Sequence, residues 1–318
     1  MKVLVTGSAG FIGFHTAKAL LERGDKVIGF DNFNEYYDPT LKAKRNEILE
    51  QHKNFTIIRG DIAVKTELKK AFDLIQKEDM VCHLAAQAGV RHSIDNPDIF
   101  LRDNILGFGN VLELCKTKKV KGLIYASSSS VYGNSTEFPL HEEINTDHQI
   151  SLYGVTKKTN ELQAHVEYSL FGLHSTGLRF FTVYGPWGRP DMALFLFANW
   201  IMNNQPLQIF GEGRMQRDFT YVDDIVAGII AALDKNYQYE VFNLGAGYTE
   251  ELMSYVSALE KALGKEGKKN FLPMQQGDVI KTSADISKAQ KMLGFSPKTR
   301  ISLGVPRFVE WYKEYYKY

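Results

Sequence analysis

Five short runs rich in β-branched and aromatic residues recur through the first half of the chain: "KVLVTG" (2–7), "KVIGFD" (26–31), "FTIIRGD" (55–61), "MVCHLAA" (80–86) and "GLIYASS" (122–128). They are apolar on both faces instead of alternating, which predicts strands buried on two sides. Between them "FIGFHTAKALLERG" (11–24) and "KTELKKAFDLIQK" (65–77) place apolar residues at helical spacing, with Gly24 set to end the first helix. Strand and helix in alternation predict an α/β fold built on a doubly wound parallel sheet. From about residue 178 the rhythm loosens into the glycine-rich loops "YGPWGRP", "FGEGRMQRD" and "NLGAGYTEE". The pattern predicts a first unit over 1–178 and a smaller α/β unit over 179–318, draped on the C-terminal edge of the sheet, with segments near 219–247 returning to it.

Composition narrows the functional classes. With 38 basic residues against 37 acidic ones, the chain has no charge case for nucleic acid. The Lys-rich "KTKKVK" (116–121) reads as a solvated helix end, and the tail "WYKEYYKY" (311–318) as an amphipathic helix. Cys82 and Cys115 stand apart in apolar surroundings, as buried free thiols of a reducing compartment would. The eight histidines show no ligand spacing, so no metal is expected. No apolar run is long enough for a bilayer, and "MKVLVTG" runs straight into a strand, so a soluble, cytoplasmic protein is expected.

The candidate chemistry begins at "TGSAGFIG" (6–13). It sets Gly7, Gly10 and Gly13, with Phe11 and Ile12, between the first strand and the first helix. Glycines there allow a tight turn and close backbone approach to a pyrophosphate at the helix N-terminus. Asp31, followed by Asn32, ends the second strand 31 − 13 = 18 residues after the last glycine. That is close to the offset at which an acid takes the adenosine ribose hydroxyls; a carboxylate there repels a 2′-phosphate, so NAD is expected over NADP. Asp61, before Ile62 in "RGDI", suits either the adenine amino group or a helix N-cap.

"SLYGVTKKTNE" (151–161) carries Tyr153 and Lys157 one helical turn apart. An ammonium near a phenol favours phenolate, which could take a proton from a sugar hydroxyl while hydride leaves the same carbon. Upstream, "YASSSSVYG" (125–133) ends an apolar strand in four hydroxyls, either a row of sugar contacts including Ser128 or the start of a solvated loop.

With TGxxGFIG, "HLAAQ" (83–87), the serine-rich strand end, Tyr-x-x-x-Lys and "RDFTYVDD" (217–224), the chain resembles the extended short-chain dehydrogenase/reductase family, specifically its nucleotide-sugar 4-epimerases. The resemblance implies Ser128, Tyr153 and Lys157 as the catalytic set. It adds Leu84, Ala85, Ala86, Gln87 and Asn104 to the NAD contacts. Related dehydratases and decarboxylases carry acids where this chain has Ser129 and Ser130, which leaves hydride return as the implied fate of a keto intermediate. Asp278 and Gln275 match positions near the uridine ribose, Arg217 the diphosphate arginine, and "LQIF" with Ile209 the segment along uracil.

"RFFTVYGPWGRPDMALFLF" (179–197) is very similar to the corresponding segment of UDP-glucuronate 4-epimerases. Arg189 and Thr182 are thereby expected to face the sugar carboxylate. The resemblance thus implies conversion of UDP-glucuronate to UDP-galacturonate by a homodimer joined through the helices carrying Asn104 and Tyr153. The alternatives are a UDP-glucuronate decarboxylase, a UDP-glucose or UDP-N-acetylhexosamine 4-epimerase, and a non-catalytic NAD-binding regulator.

Overall fold

The computed structural model describes residues 1–275 and 277–318. The predicted strands form as Lys2–Thr6 (β1), Lys26–Asp31 (β2), Phe55–Arg59 (β3), Met80–His83 (β4) and Gly122–Ser128 (β5). A sixth, Ser175–Phe180 (β6), and the late strand Tyr239–Leu244 complete a seven-stranded sheet. Its order is Tyr239–Leu244, β6, β5, β4, β1, β2, β3, and every pairing is parallel. Two-sided burial explains the absence of alternation: Val3 and Val5 pack with Phe14 and Ala17 on one face. Leu4, between them, packs with Phe108 and Val111 on the other. Chain order reverses between β1 and β4, and such a switch point opens a crevice beyond the C-terminal strand ends.

Two boundaries differ from the sequence reading. The division at 178/179 falls inside β6, which runs to Phe180, because Leu178 and Phe180 share one core with Phe242 and Leu244 of the late strand. The helix expected over 65–77 stops at Phe72, where the Asp73 N–H still reaches the Lys69 carbonyl at 2.8 Å but the chain then turns to seat Ile75 in the core.

The second half has its own core, from helices Ala193–Met202, Leu252–Leu263 and Ile301–Tyr316. Phe219 stacks on Tyr255 with ring centroids 4.0 Å apart. Asp218, fully buried, ties this half to the sheet edge: it accepts from the N–H groups of Ala246 (2.6 Å), Gly247 (3.2 Å) and Ala284 (3.1 Å), and from the Thr220 hydroxyl (2.9 Å). The C-terminal helix buries Trp311 and Tyr312, as its amphipathic pattern predicts. Among the described residues, no helix is long and apolar enough to cross a membrane, and no cluster of His, Cys, Asp and Glu could hold a metal.

Candidate active site

A cavity of about 700 Å³ follows the crevice from the glycine-rich turn to the second half of the chain, a size suited to a small-molecule ligand. At one end the backbone itself is the wall. Gly7 has φ +73°, and a Cβ there would stand 2.7 Å from the Ala85 nitrogen; one on Gly13 would lie 2.0 Å from the Gly7 oxygen. Gly10 caps the helix Phe11–Glu22 without a side-chain partner, so the first-turn N–H groups of Phe11, Ile12 and Gly13 face the cavity. Orphan donors at a positive helix end make an anion site. Asp31 lines the same end, its Oδ2 accepting from the Ala9 N–H (3.0 Å) and its Oδ1 from the Phe33 N–H (2.8 Å). Burial pushes its carboxyl up, against the pull of these N–H groups and of Lys42 and Arg45.

Asn32, Ile62 and the run Leu84, Ala85, Ala86 and Gln87 also line this end. Two expected cofactor contacts do not. Asp61 is turned away: its Oδ1 takes the Ala63 N–H at 2.8 Å, and Arg102 holds Oδ2 in an ion pair. It is not an N-cap either, since Val64 caps the helix that follows. Asn104 is 1% exposed and lies behind the wall, on a π-helical turn, Leu101–Gly107. Its amide accepts from the Gln87 N–H (2.8 Å) and donates to the Gln87 carbonyl (3.0 Å) and the Thr156 hydroxyl (3.0 Å). Asn104 thus fixes the β4 loop against the helix bearing Tyr153, and the widened turn that frees its carbonyl is matched by the Asn160 amide at 2.6 Å.

That helix, Leu152–Phe171, starts where Ser151 accepts from the Gly154 N–H at 3.1 Å and ends at left-handed Gly172. Tyr153 and Lys157 emerge one turn apart beside the end of β5, both lining the cavity. Lys157 is 2% exposed, its ammonium donating to the Ala126 carbonyl at 3.0 Å, and burial pulls its pKa down to about 8. Burial pushes the Tyr153 phenol up, while the neighbouring Ser128 hydroxyl and the Arg189 charge pull it down. The lysine, expected to do this, is spent on the β5 backbone instead. Along β5 the serines divide by strand alternation. Ser127 turns inward to the Glu161 carboxylate (2.6 Å), which is itself forked by Arg179, whereas Ser128 turns to the cavity and donates to the Ser130 hydroxyl at 3.2 Å. Ser129 and Ser130 form a short 3₁₀ turn on the same wall.

Thr182, two residues past the Phe180 that pairs with Ser128, lines the cavity, as does Arg189. The Arg189 fork is already held by Asp191, at 3.0 Å through Nε and by a short contact through Nη2. Burial raises the Asp191 carboxyl, but the Arg189 charge and hydrogen bonds, with help from Tyr36, together hold the group below the usual carboxylate range. Tyr36 donates to the same carboxylate at 3.0 Å. Nη1 of Arg189 makes no hydrogen bond with the described residues, leaving it available to a second anion. Tyr36, Lys42 and Asp191 are cavity residues that sequence reasoning missed.

At the far end, Arg217 and Asp278 line the cavity together with Arg91, Phe210 and Lys281. Arg91 pairs with Asp278 at 2.8 Å and lies over the Phe210 ring, 5.0 Å from its centre. Burial pulls the Arg217 pKa down, Asp278 opposing and Arg91 assisting. Ile209 is not there: it is fully buried in the second core, its carbonyl takes the Leu272 N–H, and the alternating neighbours Gln208 and Phe210 face the cavity. Gln275 lies outside the lining, with a buried amide oxygen that finds no partner among the described residues.

A parallel nucleotide fold whose glycine turn, Tyr-Lys helix and arginine-lined second half meet in one crevice is the architecture of the NAD dependent epimerase/dehydratase family. The profile of that family matches residues 3–245, and the chain belongs to it. Among curated relatives, UDP-glucuronate 4-epimerase 4 of Arabidopsis thaliana is 47% identical over 99% of this chain and 76% of its own. The probable UDP-glucuronate 4-epimerase of Rhizobium meliloti is 44% identical over 100% of this chain and 98% of its own. The crystal structure of the UDP-glucuronic acid 4-epimerase of Bacillus cereus, in complex with UDP-glucuronic acid and NAD, superposes with a TM-score of 0.93 at 40% identity, covering 99% of this chain and 100% of that one.

Proposed function

We propose that this chain is an NAD-dependent UDP-glucuronate 4-epimerase, interconverting UDP-glucuronate and UDP-galacturonate through a transient 4-keto sugar. The observation that carries the reading is one cavity joining the glycine cradle, the Ser128/Tyr153 pair and a partly buried arginine, Arg189, with no acid at positions 129 and 130. The cradle fits a dinucleotide: Gly7 and Gly13 leave no room for a Cβ, first-turn N–H groups meet the pyrophosphate, and Asp31 meets the adenosine ribose. Bound there, NAD supplies a hydride acceptor at C4 that later returns the same hydride.

The protein's own groups do the rest. Tyr153 takes the C4 hydroxyl proton and gives it back, with Ser128 hydrogen-bonding the same oxygen. Lys157, one helical turn from Tyr153, is anchored on the Ala126 carbonyl and braces the β5 end that carries Ser128. Arg189 and Thr182 hold the C6 carboxylate, Ser129 and Ser130 line its approach, and Arg217 with Arg91 meets the diphosphate. The 4-keto acid is a β-keto acid, prone to losing carbon dioxide. No carboxylate base at 129 or 130 is there to draw it onward.

The cofactor half is read as residues 1–180 with the returning segment 222–245, and the rest as the sugar-nucleotide half. A homodimer is inferred through the helices that carry Asn104 and Tyr153, supported by Leu106, Leu162, Val166 and Leu170, each at least half exposed on that face. A cytoplasmic setting is inferred from the buried free thiols Cys82 and Cys115. The test is to incubate the protein with UDP-glucuronate and no added NAD, following products by proton NMR and carbon dioxide in parallel. UDP-galacturonate without gas supports the reading; UDP-xylose or a 4-keto pentose with gas makes the enzyme a decarboxylase, and turnover of UDP-glucose alone returns Arg189 to a structural role.

A further inference from the structure

The backbone of the loop that delivers Arg189 is held by side chains from the cofactor half. Three consecutive carbonyls, those of Pro186, Trp187 and Gly188, are each taken by a donor from outside the loop. His15, on the first helix, reaches the Pro186 oxygen at 2.9 Å. Because its partner is a carbonyl, His15 Nε2 carries the proton, and burial keeps the ring neutral, with its pKa down at about 4. Arg45 reaches the Trp187 oxygen at 2.6 Å and the Gly188 oxygen at 3.2 Å through Nη2.

Arg45 is the more unusual of the two. It is fully buried, and none of its hydrogen bonds goes to a carboxylate. Its Nη1 donates to the Ala9 carbonyl at 2.9 Å, inside the glycine-rich turn, and to the Tyr37 hydroxyl at 2.7 Å. The Ala9 N–H in turn goes to Asp31. A buried guanidinium with no carboxylate in hydrogen-bond contact, the buried Asp31 acting on it only through space, is expensive to keep, and apolar residues would fill the space more cheaply. What it does here is join the pyrophosphate turn to the backbone immediately before Arg189. Trp187 is held in the left-handed region at φ 58°, unusual for a bulky residue, with its indole set against Phe14, Trp311 and Tyr315. The loop is therefore kept in a conformation its own residues disfavour.

We propose that Arg45 and His15 are positioning residues that place Arg189 on the sugar carboxylate relative to the bound cofactor, and so decide between hydride return and decarboxylation. The inference rests on the epimerase reading above. In the unwanted branch the C5–C6 bond of the 4-keto acid breaks, its electron pair moves onto the C4 oxygen as an enolate, carbon dioxide leaves, and C5 takes a proton. That branch opens when the carboxylate turns so that the breaking bond lines up with the ketone π-system. A loop displaced by even a fraction of an ångström would permit that turn.

The test uses the NAD-bound enzyme with Arg45→Lys, Arg45→Met, His15→Gln and His15→Phe, and UDP as a probe that lacks the sugar. Expected for Arg45→Lys is a loss of about 10- to 100-fold in kcat/KM for UDP-glucuronate, with a raised share of carbon dioxide among the products, while UDP inhibition and retained NAD stay unchanged. His15→Gln, which keeps a donor, is expected to stay near wild type, and His15→Phe to move in the direction of Arg45→Lys. Arg45→Met shows whether packing alone suffices; an unaltered product ratio in it overturns the proposal. So does a fall in UDP affinity and NAD retention in step with activity, which marks a merely structural role. If the wild type itself leaves UDP-glucuronate unchanged, the activity reading fails instead. The clamp is then judged by whether these variants weaken binding of UDP-glucuronate relative to UDP.

Discussion

Lys157→Met should make the protein more stable while removing its activity. The ammonium is 2% exposed, makes a single hydrogen bond to the Ala126 carbonyl, and has its pKa lowered from 10.5 to about 8 by burial alone. Lowering it from 10.5 to about 8 corresponds to about 3 kcal/mol against keeping the charge in the fold at neutral pH. Losing the donor to Ala126 returns about 1–2 kcal/mol of that, so a net gain of about 1–2 kcal/mol is expected at pH 7. The sign with pH follows from linkage. The folded pKa lies below the unfolded one, so the unfolded chain binds more protons between about 8 and 10.5, and wild-type stability rises through that window. The variant lacks this rise, and its advantage should close as pH passes from 8 to 10.5. Urea melts of both proteins, stripped of NAD so that differing cofactor affinity does not enter, read the effect directly. A variant less stable than wild type at pH 7, or a gap that does not narrow with pH, refutes the reasoning.

Tyr153→Phe should lower kcat by about 10²- to 10⁴-fold, with retained NAD and UDP affinity unchanged, as inhibition kinetics would show. Arg189→Ala should weaken UDP-glucuronate at least about tenfold and leave UDP unaffected, since one charge-assisted pair is worth about 1.5–3 kcal/mol. Asp191→Asn added to it relieves the carboxylate left unpaired, so the double variant should melt higher than Arg189→Ala alone. Asp31→Ser should shift preference toward NADP, measured by fluorescence titration. It should also lower the melting temperature, because the carboxylate anchors the Ala9 and Phe33 N–H groups.

Much of this was legible in the chain, and the places where it was not have physical reasons. The sheet could be read because its central strands β1, β4 and β5 are buried on both faces, and the cradle because only glycine fits at Gly7 and Gly13. Ile209 was misplaced because a three-residue strand, Leu207–Ile209, shows no period long enough to say which face is wet. Asn104 was expected to touch the cofactor, but its work depends on a π-helical turn that leaves no periodic trace. The Asp61–Arg102 and Arg91–Asp278 pairs join residues far apart in sequence, which local spacing cannot reveal. The Asp191 partner of Arg189 is only two residues away, yet a Pro between them gives no hint that the loop folds back on itself. Arg45 carries no motif that singles it out in the sequence; only the fold shows it buried among carbonyls.

The central claim is that hydride leaves C4 and returns to it within one closed site. UDP-glucuronate deuterated at C4, incubated with the protein in ordinary water without added NAD, tests this most directly by mass spectrometry and NMR. The account predicts UDP-galacturonate that keeps its deuterium at C4. Product that has exchanged the label for solvent hydrogen, or that has lost C6 as carbon dioxide, would contradict it.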